Sequence, residues 1–575
     1  MAAITSSTGV VIPLLSESIE DSLRHNLRAS FLAGLSHGCG VEPLIEQYED
    51  LPAPLDFRDF IDTGRTKIEV TRAVEEYCVQ VLIRNQERGH LLPTSARPLL
   101  EKVDLGSSAA ETEYQRLGLY FVHTAEYSRA IRSPGALIVG RKGSGKTAIF
   151  YQAIEETSSD KRNLVVELCP ASHNLSELRE QLLKVVSVGV FDHTIAAFWQ
   201  YILYAEILLK LRETLLPKAR YNFSLLNRIR ELEEKYRLTD AMVAGDFTSR
   251  LAQAVELLIK GLREANGGGK DYRSYLTNLL FESHIPTLRD TIVDLGSDFK
   301  KILLLFDNID KGWPAQRVEA HDIRMIQHLI SVLNKIQREL ERKGTEFQFL
   351  LFLRSDVYEQ LVEQTADRGK HNLITIDWSD PYQLSHLINQ RVIWNVSAEE
   401  QAAAWQAVNP IMEDGRAAIS HMIDSSLMRP RFLIDLCERA ISFAINRGHQ
   451  TITTRDVQNA IEQHSIYLVS FFGYELQDVS GISDKIFYNF IGHPERLSEN
   501  EIEPIIATAK NDLTSNEVIT MLIWYGFLGI PDASDHPVFI YDRNYDMRRL
   551  EAERARQGPD VRYFVNRAFL RGLEN

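Results

Sequence analysis

Gly140-Arg141-Lys142-Gly143-Ser144-Gly145-Lys146-Thr147 reads as a glycine-rich loop between a strand and a helix. It fits glycine, four residues, then Gly-Lys-Thr, the pattern of a loop that cradles phosphate. Ahead of it, Ala136-Leu137-Ile138-Val139 is a short buried-strand signal, and behind it Phe150, Ala153 and Ile154 recur at helical spacing. That order lets Gly143 and Gly145 bring the backbone close to negative charge, with N–H groups and a helix N-terminus aimed at it. Gly140, Gly143, Ser144, Gly145, Lys146 and Thr147 are therefore the candidate contacts for a nucleoside triphosphate such as ATP. Lys146 would bridge the β- and γ-phosphates, and Thr147 would place its hydroxyl on Mg²⁺. Arg141 and Lys142 read as solvated loop charges.

Downstream, residues 164–168 are a second strand, reached across the turn Ser158-Ser159-Asp160-Lys161. From about 174 to 299 the chain reads as a helical insertion, with Phe198, Trp199, Tyr201 and Tyr204 as a core stripe. The strand rhythm resumes at 302–306, an apolar run that suits a parallel strand buried on both faces. It ends in Asp307-Asn308-Ile309-Asp310. An acidic residue at such a strand end, in a chain with a phosphate loop, is placed to hold Mg²⁺, so Asp307 joins Thr147 as a metal candidate. Asn308 is a neutral amide and no useful base, which leaves Asp310 as the nearest carboxylate and the candidate catalytic base. A further apolar strand, 347–353, ends in Arg354-Ser355-Asp356. Ligands lie at the carboxyl ends of parallel strands, so Arg354 would sense the γ-phosphate if its strand neighbours the other two.

After Asp380-Pro381 helices run to about 470. Met428-Arg429-Pro430-Arg431 opens one of them, with Pro430 in the first turn and Leu433, Leu436, Ala440 and Phe443 on one face. Arg429 and Arg431 would reach phosphate from this lid. In the tail, Ser498 with Glu501 and Thr514 with Glu517 have capping-box spacing, and two strands follow near 527–530 and 538–541. Helices followed by a hairpin suggest a winged helix. The first hundred residues read as helical, best at 19–35 and 67–84, and carry no motif. The expected fold is α/β: an N-terminal helical docking module (1–104), a P-loop parallel-sheet core (105–379) with its insertion, a helical lid (380–470) and a winged-helix-like domain (471–575).

The net charge of -15 and pI near 5.6 argue against a chain that coats nucleic acid or anionic membrane through its overall field. Cys39, Cys78, Cys169 and Cys437 lie far apart without a C-x-x-C pair, so neither a disulfide scaffold nor a zinc site is expected. The apolar run 195–209 is interrupted by Gln200 and Glu206, is expected to be too short to cross a bilayer, and no basic leader begins the chain. The expectation is a cytoplasmic protein with no membrane partner.

With the phosphate loop, the acidic strand end, Arg354 and the lid arginines in place, the chain resembles AAA-like P-loop ATPases of the STAND and origin-recognition type. In particular it looks like the bacterial FunZ-like group. Residues 140–147, Phe306-Asp307-Asn308-Ile309-Asp310-Lys311-Gly312-Trp313, 353–356 and 429–433 carry the resemblance, which spans roughly 105–545. It implies an ATP-driven switch that closes between core and lid and assembles with itself or with a protein partner through the N-terminal module. It also implies phosphate sensing by Arg354 and by Arg429 or Arg431, and a setting in stress or anti-phage signalling. Relatives usually carry Glu where Asn308 stands, so the resemblance implies binding more firmly than hydrolysis. A rival reading is a DNA-associated loader. The candidate recognition helix, 516–525, contains no Lys or Arg, so DNA is not the favoured partner. Arg548, Arg549, Arg554 and Arg556 interleave with Glu551 and Glu553 and read as a solvated charged helix. A GTPase is disfavoured because Asn334-Lys335-Ile336-Gln337 lacks the Asp of a guanine reader, and a small-molecule kinase is a third class.

Overall fold

The computed structural model describes residues 98–170, 188–219, 222–236, 247, 249–251, 256, 285–309, 320–363, 372–509, 513–558 and 561–574; of the first 97 it describes 7, 9–16, 18–39, 41, 43–48, 61–64, 70–78 and 81. They fall into two units, Met1–Arg97 and Pro98–Asn575.

The first unit runs through strand β1 (Val10–Leu14), helix α1 (Ser22–Gly38), β2 (Pro43–Tyr48) and β3 (Ile61–Gly64), and its strands pair in parallel in the order β1-β2-β3. Ile12 and Ile45 from the sheet close over Ala29 and Ala33 of α1. This corrects the expectation of a purely helical module. Strands of four to six residues give no long periodic window, so the helical signal of α1 dominated the reading.

In the second unit, α2 (Ala125–Arg132) leads into β4 (Gly135–Gly140), the loop, and α3 (Lys146–Ser158). Then come β5 (Asn163–Leu168), α4 (Val188–Ala219), α5 (Phe223–Tyr236) and α6 (Ile285–Gly296). The sheet resumes with β6 (Lys301–Phe306), α7 (Ala320–Glu341), β7 (Phe347–Arg354), α8 (Ser355–Glu363) and β8 (Leu373–Ile376). All neighbours pair in parallel, in the order β5-β6-β7-β4-β8. Both faces are covered, which explains why Ile302 to Phe306 could be an unbroken apolar run. On one face Leu304, Phe306 and Leu351 pack against Trp199, Leu203 and Ile207 of α4 and Leu329 and Leu333 of α7. On the other, Leu303, Leu305 and Phe352 meet Tyr127 of α2 and Ile149 and Phe150 of α3.

The aromatic stripe of the insertion is core, as read: Trp199 Nε1 donates to the Met325 carbonyl at 3.0 Å and the side chain is fully buried. Among the described residues one helix, Asp192–Ala219, has the length and composition to cross a membrane, contrary to the expectation of a run that is too short, and 72% of its most apolar window lies inside the protein. Its polar interruption Glu206 takes a two-pronged pair from Arg250, both contacts at 2.6 Å.

The lid follows as α9 (Pro381–Ile393), α10 (Gln401–Val408), α11 (Ala418–Asp424), α12 (Pro430–Asn446) and α13 (Thr454–Ser480). Asp380 caps α9 and Pro381 opens it; Pro430 opens α12; Thr453 and Asp456 form a capping box on α13, which Gly481 ends at φ 70. The tail comprises β9 (Arg496–Ser498), α14 (Glu499–Ile506), α15 (Ser515–Trp524), β10 (Leu528–Pro531), β11 (Pro537–Val538), α16 (Met547–Gln557) and β12 (Arg562–Val565). Both expected capping boxes are present. The expected second strand is shorter than read: Ile540–Arg543 is a 3-10 turn, because the Asp542 carboxylate accepts the Phe539 N–H at 2.8 Å and curls the chain. The hairpin instead belongs to a four-stranded antiparallel sheet, β11-β10-β12-β9.

Candidate nucleotide site

The loop leaves β4 and turns into α3 through Gly143 at φ 82 and Gly145 at φ 98, conformations that need glycine. Gly140 is required for another reason: a Cβ there would lie 2.4 Å from Ser144 Oγ and 2.9 Å from the Ile376 carbonyl of the adjoining strand. Lys146 Nζ is held by the carbonyls of Gly140 and Arg141, at 2.7 and 3.0 Å. Thr147 Oγ1 donates to Asp307 Oδ2 at 3.4 Å, across from the tip of β4 to the tip of β6. A hydroxyl and a carboxylate this close, one at a helix start and one at a strand end, are the oxygen donors that suit Mg²⁺ with its water shell. Asp307 Oδ1 also accepts the Asn308 N–H at 2.8 Å, and Asn308 is left-handed at φ 61, a conformation Asn tolerates better than most residues. Asp310 lies outside the described residues.

The condition set for Arg354 holds in the topology: β7 lies between β6 and β4, and Gly140 stands opposite Arg354. Its guanidinium nevertheless turns onto its own neighbour, Nε reaching Asp356 Oδ1 at 3.1 Å and Nη2 the other oxygen.

The lid arginines separate. Arg431 lines the cleft, its N–H 3.4 Å from the Gly143 carbonyl and its side chain against Gly143. Arg429 is buried away from the cleft, donating to the Lys142 carbonyl and to Glu475, both at 3.2 Å. The expectation for Arg141 is also corrected, since it is 6% exposed rather than solvated. The loop turns its side chain backwards into the tail, where it meets the Trp524 carbonyl and the ring of Tyr545. Burial pushes the Arg141 guanidinium below its ordinary pKa.

The cleft encloses about 150 Å³ and opens to solvent. The phosphate loop forms one end; Tyr120, Phe121, Leu387 and Ile434 line the rest with apolar surface. Two contributors were missed in the sequence. Trp378 Nε1 donates to the Ser144 carbonyl at 2.8 Å and steadies the loop. Asp377 lines the cleft beside it, its pKa raised by burial and pulled back by Arg141, Lys146 and Arg429. Both follow β8, whose four residues were too short to read; the alternation Leu373 to Ile376 followed by Asp-Trp was the available signal.

Sheet, loop, acidic strand end and lid together define a protein of the P-loop α/β fold. The lid places it further. Residues 382–471 match the FunZ-associated C-terminal helical domain. A curated relative, the 80.3 kDa protein of transposon gamma-delta from Escherichia coli (strain K12), is 23% identical over 453 residues, covering 74% of this chain; the chain spans 61% of that relative's length. Similar solved structures include Cdc6p from Pyrobaculum aerophilum (TM-score 0.27, 11% identity, 81% of this chain and 98% of that one). The Walker-type ATPase of Pyrococcus abyssi (0.34, 10%, 78% and 99%) and the Aeropyrum pernix ORC1 protein in complex with DNA (0.30, 12%, 84% and 95%) are others. Likenesses at these scores carry no argument about activity.

Proposed function

We propose that the chain binds ATP with Mg²⁺ in the cleft between core and lid, hydrolyses it slowly, and switches its assembly or signalling with the bound state. The observation that supports this most is the convergence of Lys146, Thr147 and Asp307 at the ends of two strands that flank the Arg354 strand. Gly140, Gly143, Ser144 and Gly145 wrap the phosphates, Lys146 bridges the β- and γ-phosphates, and Thr147 and Asp307 hold the ion. Arg431 approaches from the lid. Arg354 senses the γ-phosphate by leaving Asp356, and Asp310 is the base that Asn308 is not. The mobile-element origin of the curated relative suits a role in defence against phage. Unchanged phage protection on disabling the site would remove that part of the proposal.

Lys146→Ala tests the core of it. Nucleotide affinity should fall severely, because a charge on the β- and γ-phosphates is lost. The melting temperature of the free protein should hold, since this side chain donates to carbonyls of its own loop rather than packing in a core. Wild-type affinity in the variant would end the assignment.

A further inference from the structure

The phosphate loop is held from behind by the tail. Arg141 Nη2 donates to the Trp524 carbonyl at 2.5 Å, and the guanidinium lies 3.9 Å from the Tyr545 ring centroid and 5.3 Å from that of Trp524. Its Nε and Nη1 are buried with no hydrogen-bond partner among the described residues. The next residue is gripped too: the Lys142 carbonyl takes Arg429, and Lys142 Nζ sits 4.9 Å from the Phe471 ring. Both grips follow consecutive left-handed residues that are not glycine. Leu427 and Met428, at φ 52 and 55, deliver Arg429, while Asn544 at φ 50 precedes Tyr545 at φ 60. On the opposite side of the Arg141 peptide, its carbonyl is one of the two that hold Lys146.

We propose that the tail is a latch on the phosphate loop, and that its grip on Arg141 competes with phosphate for the conformation of that loop. The inference rests on the nucleotide-binding reading above. Bound phosphate draws Lys146 off the Gly140 and Arg141 carbonyls, and the Arg141 peptide must then re-form its bonds. Its side chain, wedged between Tyr545 and Trp524, resists that movement. Water reaching the two unpartnered N–H groups of the freed cation offsets only part of the cost of breaking its contacts with Trp524 and Tyr545. Coupling between sites is reciprocal, so nucleotide loosens the tail by the factor by which the tail weakens nucleotide.

The test uses the full chain with ATP and Mg²⁺, reading the dissociation constant and the hydrogen exchange of residues 513–558. Tyr545→Asn removes the ring while suiting the left-handed backbone. The expected result is tighter ATP binding, within the roughly 5- to 150-fold range of ordinary allosteric coupling. Exchange of the tail should rise on adding ATP to wild type and be high without ATP in the variant. Arg141→Gln should act alike, and the double variant should add nothing further. Equal affinities with unchanged exchange, in a wild type that binds ATP, overturn the latch alone. Absence of ATP binding in wild type and both variants overturns the latch together with the nucleotide reading.

Discussion

Asn308 stands directly after the acidic end of β6 in a left-handed conformation, so its identity answers to the backbone as well as to chemistry. Asn308→Glu should raise single-turnover hydrolysis by about 10²- to 10⁴-fold if a carboxylate there can act as base. Glu lacks the tolerance of Asn for this geometry, so the same variant should lose on the order of 1 kcal/mol of stability in a thermal melt. An unchanged rate would place the base elsewhere, and Asp310→Asn, with binding retained and turnover reduced, is the companion measurement. Asp377 gives a pH prediction. Its folded pKa is raised by burial, so its contribution to stability is fully present below the ordinary carboxylate value and is lost as pH rises through the raised one. Asp377→Asn stays neutral, and its melting temperature should pull ahead of wild type as pH climbs from about 4 towards neutrality. A gap of constant size across that range would contradict the assignment.

At the scale of elements, α4 connects the insertion to the sheet. Trp199 is fully buried against Phe306, with ring centroids 6.0 Å apart, just before the Asp307 carboxylate. Trp199→Ala should cost about 3–5 kcal/mol in chemical denaturation, the usual range for emptying a large aromatic site. Nucleotide affinity should suffer too, since Asp307 follows directly on β6. Helix α13 begins on Asp456, buried and bonded to Thr453, to Arg447 at 2.9 Å and to His449 at 2.7 Å. Burial alone would raise its pKa, and these bonds outweigh burial and hold it low, so the stability it contributes is present above the ordinary carboxylate pKa and fades as pH falls through the lowered one. Helix α16 shows the opposite economy. Arg549 pairs with Glu553 and Arg554 with Glu499, which is how a charged surface helix satisfies itself.

For the whole molecule, the acidic total of -15 sets the expectation for nucleic acid. Helix α15 carries no cation, and its C-terminal end is engaged by Arg141. Duplex DNA affinity should therefore be weak and fall steeply between low and physiological salt. Tight, sequence-selective binding that survives physiological salt would favour the loader reading instead. Because the chain divides at Arg97, a protein starting at Pro98 should keep its melting transition and its ATP affinity. Loss of either would show that the first unit supports the nucleotide site.

The glycine-rich loop, the acidic strand end and the tail's capping boxes were legible because each rests on a local rule. Glycine at positive φ, a lysine and threonine opening a helix, an apolar run ended by Asp307, and Ser or Thr three residues before Glu all act within a few residues of one another. What was not legible depends on contacts between distant segments. Arg141 and Arg429 look alike as loop and lid cations, and only the packing of α13 and α15 behind the loop turns both away from the cleft and leaves Arg431 lining it. The same holds for β8 and for the three short strands of the first unit, whose hydrogen bonds come from partners far along the chain. A four-residue strand has too little pattern of its own to announce itself, and its place is settled by the sheet that receives it.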